Sequence, residues 1–474
     1  MIGLIARREI LETVRDGRFR WSVVALGFLT AISFYTGWHE YRLRKVQYET
    51  IQQSERQRWL DQRERSPHTA VHQGVYVFRP QLLLSSVDPG IEQYVGMATH
   101  AEEGQNLFKW KPAEDTRALH RFGEITAAAT LQIVIPLVIA LLVYPVFIAE
   151  REQGTLRLTM ALGVRTSDFI CGKLLGVLAP LAAVVVPATA IGAVALCLSS
   201  DASYWPGSVE RLLWMIAAYI AYFGVVAAVS IAVSARSSSS RLALVTLLAL
   251  WFGTTVLAPQ IATETAELLI PTPSGADVIT AIARDNLQQK VRDDNLRDIE
   301  NRLLKQYGVH ELRELPVSPV GIVMQSGEES SARISNYHFG RLYGAWERQT
   351  DFLQHAGVLS PLLSLQVLSM GLAGTDPAQH ADIAHAAERY REELVRIMND
   401  DITRFRDPTL PITTLADDFH RGRDVWERVP PFRYHLPPLT GLLERYRASL
   451  YILGLWLAGS AIAAALAVRR VRVD

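Results

Sequence analysis

Glu150, Arg151 and Glu152 stand side by side, followed by Gly154, Thr155 and Leu156 and then by Arg165, Gly172 and Lys173. Acids and bases alternating between glycines can pair with one another, cap helices or meet a charged partner. Thr155 is expected to cap a short helix carrying Leu156, Leu158, Met160, Ala161 and Leu162, which Gly163 would end; Thr166 or Ser167 would cap a second one. Gly172-Lys173 is not a nucleotide site, because the upstream glycine spacing and following hydroxyl of G-x-x-x-x-G-K-[ST] are both missing. This chain therefore binds no cofactor of its own and cannot hydrolyse ATP alone. His68 and His72 stand four apart, and His380 and His385 lie near Asp376 and Asp382. Neither set has the HExxH or cysteine pair that would complete a site, so they read as exposed loop histidines, with no metal ligand and no catalytic residue assigned. Substrate-binding residues are not legible.

These residues must be positioned by elements that cross a membrane. Of 474 residues, 49% are hydrophobic and 20% charged, so apolar and polar parts must be segregated. About 20 apolar residues span a bilayer. Six stretches qualify: 19–38, 125–149, 174–199, 211–233, 241–260 and 448–468. The 150–173 stretch is the loop between the second and third. No charge lies deep within any span, which argues against a proton relay or ion-coupled carrier. Pro136, Pro145, Pro180, Pro187 and Pro259 are expected to kink their helices, with neighbours satisfying the freed carbonyls.

Net charge is zero, which gives no reason to expect a nucleic-acid partner. The distribution of arginine is more telling. Residues 1–20, the 150–173 loop, the 234–241 turn and the 469–474 tail are all basic, whereas the loop from Ser199 to Glu210 has no Lys or Arg. The positive-inside rule puts the basic segments, and both termini, in the cytoplasm. Residues 1–18 read as an amphipathic helix lying on the lipid interface, and the first apolar run as a retained signal anchor. Cys171 and Cys197 are the only cysteines and fall too far apart to pair, so the outer segments depend on burial rather than disulfides.

Two large segments, 39–124 and 261–447, are then extracytoplasmic. The first begins with a charged helix continuing the first span, which Pro67 would end, followed by a short strand near Val75 to Leu84. The second carries helical patterns over 277–306, 328–354 and 377–405. Between them, 355–376 has an apolar core too short for a span and reads as a core or interfacial helix. The two segments are expected to pack into one mostly helical domain with a small β element.

The pattern E-R-E-x-G-T-L at 150–156, with Ser167 and then Gly172-Lys173, resembles the loop between transmembrane helices 2 and 3 of ABC-2 type permeases. The strings SPLLSLQxLSMxLAGTD and WERVPPFRY resemble a branch of that family with enlarged outer loops. The resemblance implies a mainly α membrane protein with six transmembrane helices and an extracytoplasmic domain. It implies that Glu150, Arg151, Glu152, Gly154, Thr155, Leu156, Gly172 and Lys173 form a coupling hairpin against a separate ATPase subunit holding ATP and Mg²⁺. A second permease subunit, membrane lipid and a bacterial inner-membrane location are implied with it, with export of a substrate as the activity. A force-transmitting complex acting on a periplasmic partner is the alternative.

Overall fold

The structure, a computed structural model, describes every residue except 93, 97, 104–107, 110–125, 156–160, 162, 200–204, 293–294, 406–418 and 470–474. Among the described residues the chain is mainly helical, with one small sheet. Among the described residues, five helices are long and apolar enough to cross a membrane: Phe19–Leu60, Ala127–Glu152, Gly207–Arg236, Ser240–Leu269 and Arg447–Arg469. The third expected span, 174–199, lies within a continuous 34-residue helix, Thr166–Ser199.

Helix α1, Ile2–Arg15, turns at Asp16 into α2, Gly17–Leu60. At 1.5 Å per residue, the 44 residues of α2 reach about 66 Å, roughly twice the thickness of bilayer hydrocarbon. The charged stretch therefore does continue the first apolar one without a break. It ends at Leu60 rather than at Pro67, which instead opens α3, Pro67–Gln73, behind a Ser66 cap. Strands β1, Val75–Phe78, β2, Ala98–Ala101, and β3, Phe108–Lys109, form an antiparallel sheet in that order.

The second span is α4, Ala127–Glu152, followed by α5, Thr166–Ser199, α6, Trp205–Arg236, and α7, Ser240–Leu269. Both α4 and α7 contain one π-helical segment, Thr130–Val134 and Gly253–Leu257, and each runs directly into a proline turn, at Pro136 and Pro259. Proline brings no N–H to the ladder, so a wider turn and outside donors must satisfy the carbonyls. Donors are supplied by neighbours: the Tyr222 hydroxyl donates to Gln132 O at 3.2 Å and Ser360 Oγ to Thr254 O at 2.6 Å. At Pro145, Ser234 Oγ donates to Tyr144 O at 2.7 Å and accepts from the Phe147 N–H at 3.3 Å.

Beyond α7 come α8, Gly275–Arg292, α9, Asn295–Tyr307, α10, Pro319–Ala356, α11, Pro361–Ala373, α12, Pro377–Arg404, and α13, Arg447–Arg469. Gly275–Arg292 and Asn295–Tyr307 are helical across the expected 277–306 stretch, and residues 293–294 between them lie outside the described residues. The largest apolar cluster joins spanning residues such as Leu26, Ile135, Phe147 and Leu453 to Leu362, Leu365 and Leu368 of α11. Helix α11 is accordingly a buried core helix and not a further span. A second cluster unites the two long polar segments through Trp59, Val71 and Val75 on one side and Leu394, Met398 and Trp426 on the other. Trp59 Nε1 donates to Trp426 O at 3.0 Å, and the rings meet edge to face at 5.8 Å. Burying an aromatic of this size contributes at most about 5 kcal/mol, so this contact holds the segments together strongly.

Candidate functional site

Glu150, Arg151 and Glu152 form the last turn of α4. Helix therefore runs through the charge cluster, three residues beyond the expected span. Gly154, at φ 74°, ends it in the left-handed conformation favoured after a helix, its N–H donating to Arg151 O at 3.0 Å. The Thr155 hydroxyl turns back to donate to Glu150 O at 3.2 Å. Leu156 and most of the short helix expected after Thr155 lie outside the described residues. Gly163 has φ 76°, suited to its expected role as a stop. The second short helix does not exist as a separate piece. Thr166 and Ser167 begin α5, which contains Gly172 and Lys173 in its second turn and continues through the expected third span.

The three charges of that last turn of α4 reach three different places. Glu150 Oε1 pairs with Lys173 Nζ at 2.6 Å, and the same ammonium donates to Glu9 Oε2 of α1 at 2.6 Å. All three residues are buried, at 7%, 4% and 8% relative exposure. Two carboxylates on one ammonium leave a net negative charge out of water. Burial accordingly raises the pKa of the Glu9 carboxyl above the usual carboxylate range, with Lys173 opposing the rise.

Arg151 extends over the C-terminus of α6, donating from Nη2 to Ala235 O at 3.2 Å and from Nη1 to Ser237 O at 3.0 Å. Glu152 covers the start of α7, accepting from the Ser240 N–H at 3.1 Å and the Ser240 hydroxyl at 2.9 Å. A cation meets orphan carbonyls and an anion meets an orphan N–H, as the helix dipoles favour. One turn of α4 thereby ties together α1, α5, α6 and α7.

Gly172 and Gly176 explain how α1 approaches. A Cβ on Gly172 would lie 2.6 Å from Ile5 Cβ, and one on Gly176 would overlap the Glu9 side chain. The small-x-x-x-small spacing thus admits α1 against α5. Instead of lying on lipid alone, α1 docks one face on protein while Leu4, Leu11 and Val14 stay exposed. Reading the sequence missed Glu9, Gly176 and the carbonyl and amide partners at 235–240. The Gly172–Gly176 spacing was the signal available for the first two.

A second buried polar chain was also missed. Asp88 accepts from Ser369 Oγ at 2.5 Å; Ser369 Oγ lies 3.1 Å from the Tyr219 hydroxyl, to which Gln132 Nε2 donates at 2.9 Å. Asp88 is buried, which raises its pKa. The spans carry no deep charge themselves, yet a neighbouring segment inserts one against α4 and α6.

His380 is not the exposed histidine its sequence context suggested. It lies buried in α12 beside Arg79, and burial lowers its pKa to about 3. His385 is exposed on the same helix.

A search of curated proteins finds no match. Residues 277–435 match a family described as a domain of unknown function (DUF3526). The arrangement at the α4 terminus falls within a longer match: residues 4–304, well over half of the chain, fit the model of the ABC-2 family transporter proteins. With its apolar spanning helices and that match, the chain belongs to the ABC-2 transporter family.

Proposed function

We propose that this chain is the transmembrane permease subunit of a bacterial ABC-2 exporter, lying in the inner membrane with both termini cytoplasmic. A separate ATPase subunit binds ATP and Mg²⁺ and pushes on residues 153–165, and a second permease subunit completes the path. One observation carries this reading: the turn Glu150–Glu152 is bonded to the ends or flanks of four helices. Displacement of the adjoining segment is then delivered to the bundle as a whole, not dissipated in one loop.

Docking and transmission separate experimentally. Gly154 has open space around it but φ 74°, so Gly154→Val strains the backbone by about 1–2 kcal/mol without a clash. It should reduce co-purification of the ATPase. Lys173→Met should leave the ATPase bound while abolishing permease-stimulated ATP turnover in reconstituted membranes. Charge reversals at Arg284 or Asp285 of α8 should change neither quantity. Normal co-purification and normal stimulation in both site variants would place the docking surface elsewhere.

A second reading, force passed to a periplasmic partner without transport, is favoured by the unbroken course of α2 from Gly17 to the Trp59–Trp426 contact. Measurement of substrate movement in sealed vesicles decides between them. ATP-dependent accumulation supports export, and robust turnover with no accumulated substrate supports force transmission.

A further inference from the structure

Away from the bundle, α3 carries His68 and His72 on the face opposite its anchor. Pro67, Ala70 and Val71 are buried, the last two in the cluster with Leu394 and Met398. Contrary to the loop reading of these residues, the two imidazoles stand one helical turn apart and face each other, Nε2 to Nε2 at 2.9 Å. The chain then brings in a third group that sequence spacing could not reveal. Glu103, in the turn after β2, places Oε2 at 3.6 Å from His68 Nε2 and 3.5 Å from His72 Nε2.

The His68–His72 edge has the length of a hydrogen bond, whereas the two edges to Glu103 do not. Separations of 3.5–3.6 Å are long for hydrogen bonds between imidazole and carboxylate. Tetrahedral zinc with bonds of about 2.0–2.1 Å requires its ligand atoms to stand about 3.3 Å apart, and the observed triangle brackets that spacing. The scaffold is held independently of any ion: Ser66 caps α3 at its start, and His100 Nε2 of β2 lies 3.0 Å from Gln73 O at its end. His72 keeps 54% of its side chain exposed, which leaves access for a water or an external ligand.

We propose that His68 Nε2, His72 Nε2 and Glu103 Oε2 bind one divalent transition-metal ion, with zinc suited to the geometry and a fourth position open to solvent. Two imidazoles and one carboxylate favour such ions over magnesium or calcium, which take oxygen ligands in larger number. The ion would fasten α3 to the β2 turn. This proposal is independent of the transport reading.

The test is titration of tag-free, full-length protein in detergent with zinc, and separately with cobalt, after removal of metal by chelator. One zinc per chain should bind with Kd below about 10 μM, and cobalt should give the visible bands of a tetrahedral complex. His68→Ala, His72→Ala and the milder Glu103→Gln should each weaken binding by more than about a hundredfold, beyond the usual cost of losing an outer-shell contact. His355→Ala should leave it unchanged, and excess magnesium should not compete. Because the three side chains lie on the surface side of α3 and in a turn, unaltered thermal unfolding of the metal-free variants will show that they fold. Absence of stoichiometric binding, a Kd in the millimolar range, or undiminished binding in the ligand variants would overturn the proposal.

Discussion

Two buried triads, each of one cation and two carboxylates, are built from different helices of the molecule. In one, Lys173 joins Glu9 and Glu150. In the other, Arg391 joins Glu328 and Glu388. Their formal charge is the same, but their construction is not. Arg391 grips Glu388 on its own helix with two parallel bonds of 2.8 and 2.7 Å, reaches Glu328 of α10, and donates to the Glu102 carbonyl at 3.3 Å. Lys173 gives one bond to each carboxylate, from three separate helices, and Glu150 Oε2 has no hydrogen-bond donor among the described residues. A guanidinium fork fixes geometry, whereas a single ammonium contact tolerates rotation about it. The Arg391 triad is therefore fixed in geometry by more bonds than the Lys173 triad, whose ammonium constrains each carboxylate through a single contact.

That contrast can be broken at either triad. Arg391→Met leaves two buried carboxylates with no cation and should destabilise the domain by about 3–5 kcal/mol, read as a fall in the denaturant midpoint of the Trp59–Trp426 fluorescence. Lys173→Met should cost less, about 2–3 kcal/mol, because the Glu9 carboxyl, already raised by burial, can take up a proton. Its deficit should shrink as pH falls, since protonation removes the uncompensated charge. An equal or larger loss at Lys173, unchanged with pH, would erase the distinction.

His380, on the same helix as Arg391, adds a pH dependence of its own. Its folded-state pKa lies near 3, against 6.5 for the free side chain. The stability it supplies is therefore present above pH 6.5 and is lost as pH falls toward 3, because the unfolded chain binds a proton that the folded chain excludes. Between pH 6.5 and about 5 the loss should approach about 2 kcal/mol. His380→Gln should flatten that slope while keeping a hydrogen-bond acceptor for Arg79. The smallest effect is expected at Glu152, whose exposed carboxylate covers the α7 terminus. Glu152→Ala should cost about 0.5–1 kcal/mol, within the range for helix capping, with little effect on the Arg391 triad.

Local pattern disclosed the helices well, since the apolar runs and the amphipathic stretches at 319–356 and 377–404 each carry their own period. The buried helix α11 was legible too, because the basic tail argued against another crossing. What sequence could not supply were partners distant along the chain. Glu9 meets Lys173, and Asp88 meets Ser369, at separations of 164 and 281 residues. The charge cluster at 150–152 drew attention as a surface feature for this reason. Charges next to an apolar run look solvated until the helices that bury them are placed. Strand β2 escaped notice because ATHA has no alternating pattern and is held by its neighbours.

The uninterrupted course of α2 fixes both its length and its phase. Each residue of an α-helix turns the chain by about 100° and advances it by 1.5 Å. A single residue inserted between Trp38 and Trp59 would swing Trp59 away from Trp426, and a full heptad, though nearly restoring the angle, would carry the ring about 10 Å too far. No short insertion satisfies both conditions. The stretch of α2 beyond the first apolar run is polar and much of it is exposed, a character that usually marks segments free to vary in length. Here that freedom is absent, because the helix acts as a measured strut whose two ends are set by different cores.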